Sequence, residues 1–105
     1  MRIEWTDPAL ADLIHIRDYI AQDSPIYAKQ FVRRIFNATD KLADFPRIGR
    51  EVPEASDAAE EVREIIYQGY RIIYWIVVDR VQILAVIHGT RDLAGIEKSP
   101  WDVDF

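Results

Sequence analysis

Three arginines and one histidine in the second half of the chain are the residues best suited to chemistry: Arg63, Arg71, Arg91 and His88. An arginine guanidinium matches the oxygens of a phosphate group, and a histidine exchanges a proton near neutral pH. If the fold brings the four together, they could hold a phosphodiester and move a proton during its cleavage. The arginines could instead form cross-strand ion pairs with neighbouring carboxylates such as Glu64, and the sequence leaves both interpretations open.

A metal site or a cofactor is not expected. The chain contains no cysteine, which excludes a thiolate metal site and a cysteine nucleophile. Asp12 and Asp18 lie three residues before and after His15, so these three side chains could line one helix face as weak ligands. Ordinary helix-surface charge explains the same pattern better. There is also no glycine-rich loop of the kind that binds phosphates.

The 105-residue chain has a formal net charge of −5, which disfavours general binding to nucleic acid. That charge lies in residues 51–64, which hold six acidic residues and one basic residue. Residues 24–50 hold six basic and two acidic residues, and could contact an acidic partner or only offset the acidic segment. We expect residues 51–64 to be exposed, poorly packed and dispensable for folding.

Hydrophobic periodicity predicts the elements that must position these residues. Residues 2–5 alternate as a short strand. Thr6-Asp7-Pro8 and Ser24-Pro25 are helix-start signals, and each precedes apolar residues at a spacing of three or four, which predicts an antiparallel helical hairpin. Three runs rich in Ile, Val, Tyr and Trp then predict an antiparallel meander, at 62–67, 70–78 and 81–88.

This order predicts an α+β fold, β-α-α-β-β-β, with the helical hairpin packed on one face of an antiparallel sheet. The length suits a single domain over residues 1–105. Its parts are expected to be a strand and helical hairpin (1–45), an acidic loop (46–61), the meander (62–95) and a tail (96–105). The sequence shows no signal peptide and no apolar run long enough for a membrane span, which indicates a cytoplasmic protein.

The face of the meander turned away from the helices is expected to carry an apolar patch. Strand alternation places Ile73 and Trp75 there, and an even connection at Asp79-Arg80 would pair them with Val86 and Leu84. One helical layer cannot cover both faces, so these four residues would bind a partner or a second copy of the chain. Alternatively, the long loop or the C-terminal tail folds across them.

The connection between the first two meander strands decides on which face Arg63 lies. A three-residue loop ending at a left-handed Gly69 would put Arg63 on the same face as Arg71. We prefer this register because a two-residue loop would place Arg63 on the face covered by the helices. It gathers Arg63, Arg71 and His88 around one sheet face, with Arg91 just beyond the strand end.

Four motifs together resemble the ParE/RelE superfamily of bacterial toxins. In chain order they are WTDPA at 5–9, FPRIG at 45–49, GYRIIY at 69–74 and VQILAVIHGTRD at 81–92. Their succession, which covers residues 1–95, is more specific than any one of them. The resemblance implies the RelE/ParE-like fold and the toxin of a type II toxin–antitoxin pair, which inhibits bacterial growth unless a cognate antitoxin silences it.

The resemblance also implies one of two targets. RelE-like members are ribosome-dependent mRNA endoribonucleases; Arg63, Arg71 and Arg91 match their basic positions, and His88 is the candidate proton-transfer residue. However, Ile65 stands where a further lysine is expected, and no tyrosine follows Arg91.

ParE-like members inhibit DNA gyrase and lack that catalytic set. The sequence therefore favours a ParE-like toxin that is not an enzyme. An mRNA endoribonuclease and a degenerate module that only binds its antitoxin are the alternatives.

Overall fold

The computed structural model describes residues 1–91, 93–95 and 98–102; residues 96, 97 and 103–105 of the predicted tail lie outside this range. Within it the chain forms two helices and five strands. They are β1 (Arg2–Trp5), α1 (Asp7–Ala21), α2 (Pro25–Asp40), β2 (Arg50–Glu51), β3 (Glu61–Tyr67), β4 (Tyr70–Val77) and β5 (Arg80–His88). The predicted α+β class and the order of the main elements are confirmed. The two-residue strand β2, inside the predicted loop, is an addition.

Both helices begin at the predicted start signals. The Thr6 hydroxyl accepts a hydrogen bond from the Ala9 amide (3.4 Å) and donates one to the Ile83 carbonyl (2.7 Å), which joins the start of α1 to β5. The Ser24 hydroxyl accepts from the Tyr27 amide (3.1 Å) at the start of α2. These caps satisfy amides that a first helical turn leaves without a backbone partner. Neither helix of the described residues is long and apolar enough to cross a membrane.

The strands form one sheet in the order β1-β5-β4-β3-β2. The meander of β3, β4 and β5 is antiparallel, as predicted, whereas β1 lies parallel to β5 at one edge. At the other edge, β2 pairs only with Arg63 and Glu64 of β3. The sheet therefore brings the start of the chain beside its last strand.

The predicted register between β4 and β5 is wrong. Val77 pairs with Arg80, so the turn is Val78-Asp79 rather than Asp79-Arg80, and a bulge follows between Ile73 and Tyr74. A bulge gives one strand an extra residue and reverses the faces beyond it. Val86 consequently pairs with Ile72 and packs on the helix side, not beside Ile73.

The preferred register between β3 and β4 is also wrong. Tyr67 pairs with Tyr70, so the turn has two residues, Gln68 (φ 47°) and Gly69 (φ 83°). Two consecutive residues with positive φ match the twist of a hairpin, which explains why this shorter turn forms. Arg63 then lies on the face opposite to that of Arg71. The left-handed conformation predicted for Gly69 is confirmed.

Both faces of the sheet are covered. Leu13 of α1 and Phe31 and Ile35 of α2 pack against Ile72 and Ile83 on one face. On the other, a core cluster contains Ile73, Trp75 and Leu84 of the sheet together with buried residues that come from outside it: Val52, Ala55 and Leu93, with Trp101 packed against them.

The exposed apolar patch expected on the second face is absent. Ile73, Trp75, Leu84 and Val86 are each 8 % exposed or less. We call residues 52–60 the covering loop, because Val52 and Ala55 are buried against this face. The alternative in which the loop and the tail fold across the sheet is therefore the correct one, and the expectation of a poorly packed acidic segment is wrong.

Candidate functional site

Arg71 lies in the middle of a buried ion-pair network on the second sheet face. Its guanidinium donates two hydrogen bonds of 3.0 Å to the two carboxylate oxygens of Glu54, in the covering loop. It also donates to Glu64 of the neighbouring strand β3, whose side chain is completely buried. Glu54 first and Glu64 second raise the pKa of Arg71 above its ordinary value. The donors of Arg71 are therefore occupied by carboxylates of the same chain.

Arg63 lies on the opposite face, in the part of β3 that pairs with both β4 and β2. Its side chain donates to Glu61 (2.6 Å) and to the Gly49 carbonyl (2.8 Å), with Glu51 3.8 Å away. The hydrogen bond to Glu61 raises the pKa of Arg63. The guanidinium finds these acceptors while the side chain stays 18 % exposed, so Arg63 avoids the unfavourable burial that led us to prefer the other register.

The arginines that precede the covering loop bind acidic residues of β3, which follows that loop. Arg47 pairs with Glu61 at 3.1 Å, and Arg50 pairs with Glu64 at 2.6 Å. These two of the six basic residues in 24–50 therefore offset the acidic segment, which was one of the two interpretations of that basic charge. The sequence showed that basic and acidic residues lie near one another along the chain, but it did not show which arginine binds which glutamate.

His88 and Arg91 line a different place, an open cleft of about 350 Å³ between α1 and the end of β5. The His88 ring packs edge-on against Tyr70, with ring centroids 5.3 Å apart, and its Nδ1 lies 2.7 Å from the Thr90 hydroxyl. Both His88 and Arg91 are exposed. The structure thus brings these two predicted residues together and separates them from Arg63 and Arg71.

Two residues of α1, Asp12 and His15, line the same cleft. The Asp12 carboxylate accepts a hydrogen bond from the Val86 amide (3.0 Å), and burial raises its pKa. The sequence pointed to Asp12 and His15 only as neighbours on a helix surface, because their closeness to His88 depends on how α1 packs across β5. Among the described residues, no group of three His, Cys, Asp or Glu side chains could hold a metal ion.

The Glu54–Arg71 contact predicts a loss of stability in acid. The hydrogen bonds from Arg71 hold the pKa of Glu54 below the ordinary value of a glutamate. A group whose pKa is lowered by folding stabilises the protein above its unfolded pKa, and that contribution is lost as the pH falls through the folded pKa. We expect the free energy of unfolding of Glu54→Gln to be about 1 kcal/mol lower at pH 7, and to fall less below pH 4.5.

Urea denaturation between pH 3 and pH 7 measures this difference. Glu51→Gln is the matched control, because the Glu51 side chain is 78 % exposed and its contact with Arg63 is long. Parallel pH profiles for wild type and Glu54→Gln would contradict the prediction.

A comparison with known proteins shows to which family the chain belongs. The sequence profile described as "ParE toxin of type II toxin-antitoxin system, parDE" matches residues 3–93. The chain belongs to the ParE toxin family. The match spans both helices and every strand except the first residue of β1. The ParE/RelE resemblance seen in the sequence is confirmed.

Two relatives support this membership. The chain is 37 % identical over 91 residues to Toxin RelE2 of Caulobacter vibrioides, covering 86 % of this chain and 97 % of the relative. It is also similar to a solved structure of a chromosomal ParDE toxin–antitoxin system from P. aeruginosa, with a TM-score of 0.67 and 25 % identity over 84 % of this chain and 95 % of the other. The protein is thus a ParE-type toxin of a type II toxin–antitoxin system.

Proposed function

We propose that this ParE-type toxin acts in the bacterial cytoplasm by binding DNA gyrase and inhibiting it, and that a cognate antitoxin neutralises it. A mechanism without RNA cleavage is supported by the ion pairs that already occupy the Arg71 guanidinium. Its guanidinium is held by Glu54 and Glu64, so a phosphate would have to displace two carboxylates to reach it. A protein–protein mechanism needs no such residue to be free.

The distribution of the other candidate residues supports the same proposal. Arg63 lies on the opposite sheet face and is bound to Glu61 and to the Gly49 carbonyl. Phosphoryl chemistry requires the phosphate ligands and the proton-transfer group to surround one reacting atom. Arg63, Arg71 and His88 do not share such a place in this fold.

Ribosome-dependent mRNA cleavage is the second candidate function, and the cleft is the observation in its favour. His88 and Arg91 both line it, beside Asp12, whose pKa is raised by burial. In this mechanism Arg91 would hold the phosphate, and His88 would exchange the proton. This arrangement is smaller than the four-residue cluster expected from the sequence, because Arg63 and Arg71 take no part in it.

Two assays on the purified chain distinguish the candidates. We expect the wild-type chain to block supercoiling by gyrase and to leave ribosome-bound mRNA intact. The double variant His88→Ala/Arg91→Ala should inhibit gyrase to within about twofold of wild type, because both side chains are exposed and replacing exposed side chains changes the stability of a fold little.

If the wild-type chain cleaves mRNA and the double variant does not, this result contradicts the gyrase proposal and establishes the second candidate. Inactivity of the wild-type chain in both assays would favour the degenerate antitoxin-binding module. Arg71→Ala is not a suitable probe of catalysis, since it would remove the arginine partner of Glu54, leave the buried Glu64 with Arg50 alone and destabilise the fold.

A further inference from the structure

The covering loop is attached to the rest of the chain at few points. Within residues 52–60, only the side chains of Val52 and Ala55 are buried. The backbone is tied to the sheet where the loop begins, by a hydrogen bond of 3.2 Å from the Val52 amide to the Val62 carbonyl. A segment with so few buried apolar contacts needs little free energy to open locally.

A cleft keeps part of the covering loop apart from the start of β3. The cleft has a volume of about 330 Å³, and Ala55 and Val62 lie on its two sides. Three of the side chains that line it are acidic: Glu51, Glu60 and Glu61. Because burying ionised carboxylates is unfavourable, the loop cannot fill this space by packing more tightly onto the strand. The apolar contacts of the loop are therefore incomplete on this side.

The two ends of the covering loop are held in place independently of its middle. Before the loop, Arg50 donates a hydrogen bond of 2.6 Å to Glu64. Directly after the loop, Glu61 pairs with Arg47 and Arg63. The strands β2 and β3, from which the loop leaves and to which it returns, also pair with each other. The ends therefore stay together when the residues between them move, and no strand has to separate.

Between these ends, the charged contact between Glu54 and Arg71 holds the loop on the sheet. The Glu54 carboxylate accepts both of its 3.0 Å hydrogen bonds from the Arg71 guanidinium, and its side chain is 26 % exposed. Water can therefore replace Arg71 as the partner of this carboxylate when the loop moves away. Arg71 in turn keeps Glu64, so the guanidinium is not left without a carboxylate in the open state. The contact is well aligned in the closed state and inexpensive to break.

The core on the helix side of the sheet does not depend on the covering loop. The buried cluster that contains Leu13, Phe31 and Ile35 includes no residue of the loop, because the sheet lies between them. On the second face, Leu93 and Trp101 belong to the same cluster as the loop but come from the other end of the chain. The loop can therefore leave the second face while both helices stay packed.

We propose that the covering loop is a lid that opens as one unit, with its two ends as hinges and the contact between Glu54 and Arg71 as its latch. Opening uncovers the part of the second sheet face on which Val52 and Ala55 lie, while the sheet and the helices stay folded. The native protein is then an equilibrium between a closed form and a less populated open form. This inference concerns the fold and does not depend on the proposed inhibition of gyrase.

Thiol labelling tests the proposal, because the chain has no cysteine of its own and a single introduced cysteine reports its exposure. Ala55→Cys is the reporter in the loop. Ser56→Cys, at an exposed neighbour, gives the rate of an unprotected thiol, and Ala28→Cys, on the buried side of α2, reports global unfolding. We expect Ala55→Cys to react at least about tenfold more slowly than Ser56→Cys and at least about a hundredfold faster than Ala28→Cys.

Low concentrations of urea separate local opening from global unfolding. Urea should accelerate the labelling of Ala28→Cys and leave that of Ala55→Cys nearly unchanged, because opening the loop exposes little surface. Each variant is first compared with the wild-type chain by circular dichroism. If Ala28→Cys does not fold, Ala9→Cys, at a fully buried position of α1, takes its place.

Adding Glu54→Gln to the Ala55→Cys chain tests the latch. Labelling of Ala55→Cys should become about fivefold faster, because a neutral amide cannot accept both hydrogen bonds from Arg71. Glu51→Gln in the same background is the matched control, since the Glu51 side chain is 78 % exposed and lies outside the latch. Its labelling rate should stay within about 1.5-fold of that of Ala55→Cys alone.

Three results would overturn the inference. If Ala55→Cys and Ala28→Cys react at the same rate and with the same dependence on urea, the loop opens only when the whole chain unfolds. If Ala55→Cys reacts as fast as Ser56→Cys, the loop does not close over the sheet. If Glu54→Gln leaves the rate of Ala55→Cys unchanged, Glu54 is not the latch.

Discussion

Replacing Glu64 with glutamine is expected to lower the free energy of unfolding by about 3–5 kcal/mol, the usual cost of removing one partner of a buried ion pair. The Glu64 side chain is fully buried, and its carboxylate accepts hydrogen bonds from Arg71 and Arg50. Glutamine has nearly the same shape, but its amide is neutral and turns an N–H group toward one of the arginines. Arg71, whose side chain is 9 % exposed, would retain only Glu54 as a carboxylate partner.

Urea denaturation followed by tryptophan fluorescence measures this loss, since the buried Trp75 packs in the same cluster that the covering loop closes. Glu61→Gln is the control: Glu61 also binds two arginines, but its side chain is 31 % exposed. We expect that substitution to cost less than about 1 kcal/mol. If the Glu64→Gln chain is as stable as the Glu61→Gln chain, the burial of Glu64 does not make its ion pairs more stabilising than those of the more exposed Glu61, and the prediction is wrong.

The parts of the fold that the sequence predicted correctly depend on neighbouring residues. Thr6 and Ser24 accept hydrogen bonds from amides three residues ahead, so each helix start is encoded within one turn of chain. Gly69 takes the left-handed conformation that its position in a turn requires. Such features need no knowledge of the rest of the molecule.

The registers of the sheet could not be obtained in this way. The alternation of side chains along a strand predicts the face of each residue only as far as the next bulge. Because a bulge lies beside Ile73, Val86 packs on the helix side. For Arg63, the sequence favoured the face of Arg71, but the residue lies on the opposite face, where its guanidinium finds Glu61 and the Gly49 carbonyl as acceptors. Both outcomes are set by tertiary packing.

The covering loop shows why the candidate site was predicted only in part. Its composition is that of an exposed loop, and only Val52 and Ala55 are buried apolar residues. Its attachment comes from Glu54, which binds Arg71 from seventeen residues away. Counting charges revealed that the acidic segment and the arginines are complementary, but it did not show that their pairing occupies Arg71 and closes the second sheet face.

Gly49→Ala is expected to destabilise the chain by about 2–4 kcal/mol through steric overlap. Gly49 is buried where the chain enters β2, and an added Cβ would lie 2.6 Å from the Tyr74 hydroxyl and against the carbonyl of Glu64. The Tyr74 hydroxyl cannot move freely, because it donates to the Pro46 carbonyl (2.8 Å) and accepts from the Gly49 amide (3.2 Å). The backbone of β2 would have to shift away from β3.

Gly69 provides the contrasting control. Its φ of 83° makes alanine strained there, but an added Cβ meets no atom within 4 Å. Gly69→Ala should therefore cost about 1–2 kcal/mol, and Gly69→Asn much less, because asparagine tolerates the left-handed region. At Gly49 the larger asparagine should be worse than alanine, since the obstacle is space. The opposite order at Gly49 would contradict the steric explanation.

The double variant Gly49→Ala/Tyr74→Phe separates the two atoms that the new Cβ would meet. Tyr74→Phe alone should cost about 1 kcal/mol through its lost hydrogen bonds. If the hydroxyl is the main obstacle, its removal makes room for the methyl group, and the double variant should be more stable than the sum of the single effects predicts. Additive costs would instead assign the overlap to the Glu64 carbonyl. In that case Gly49 is required by the close approach of the β2 and β3 backbones, which holds Glu64 in position to bind Arg71.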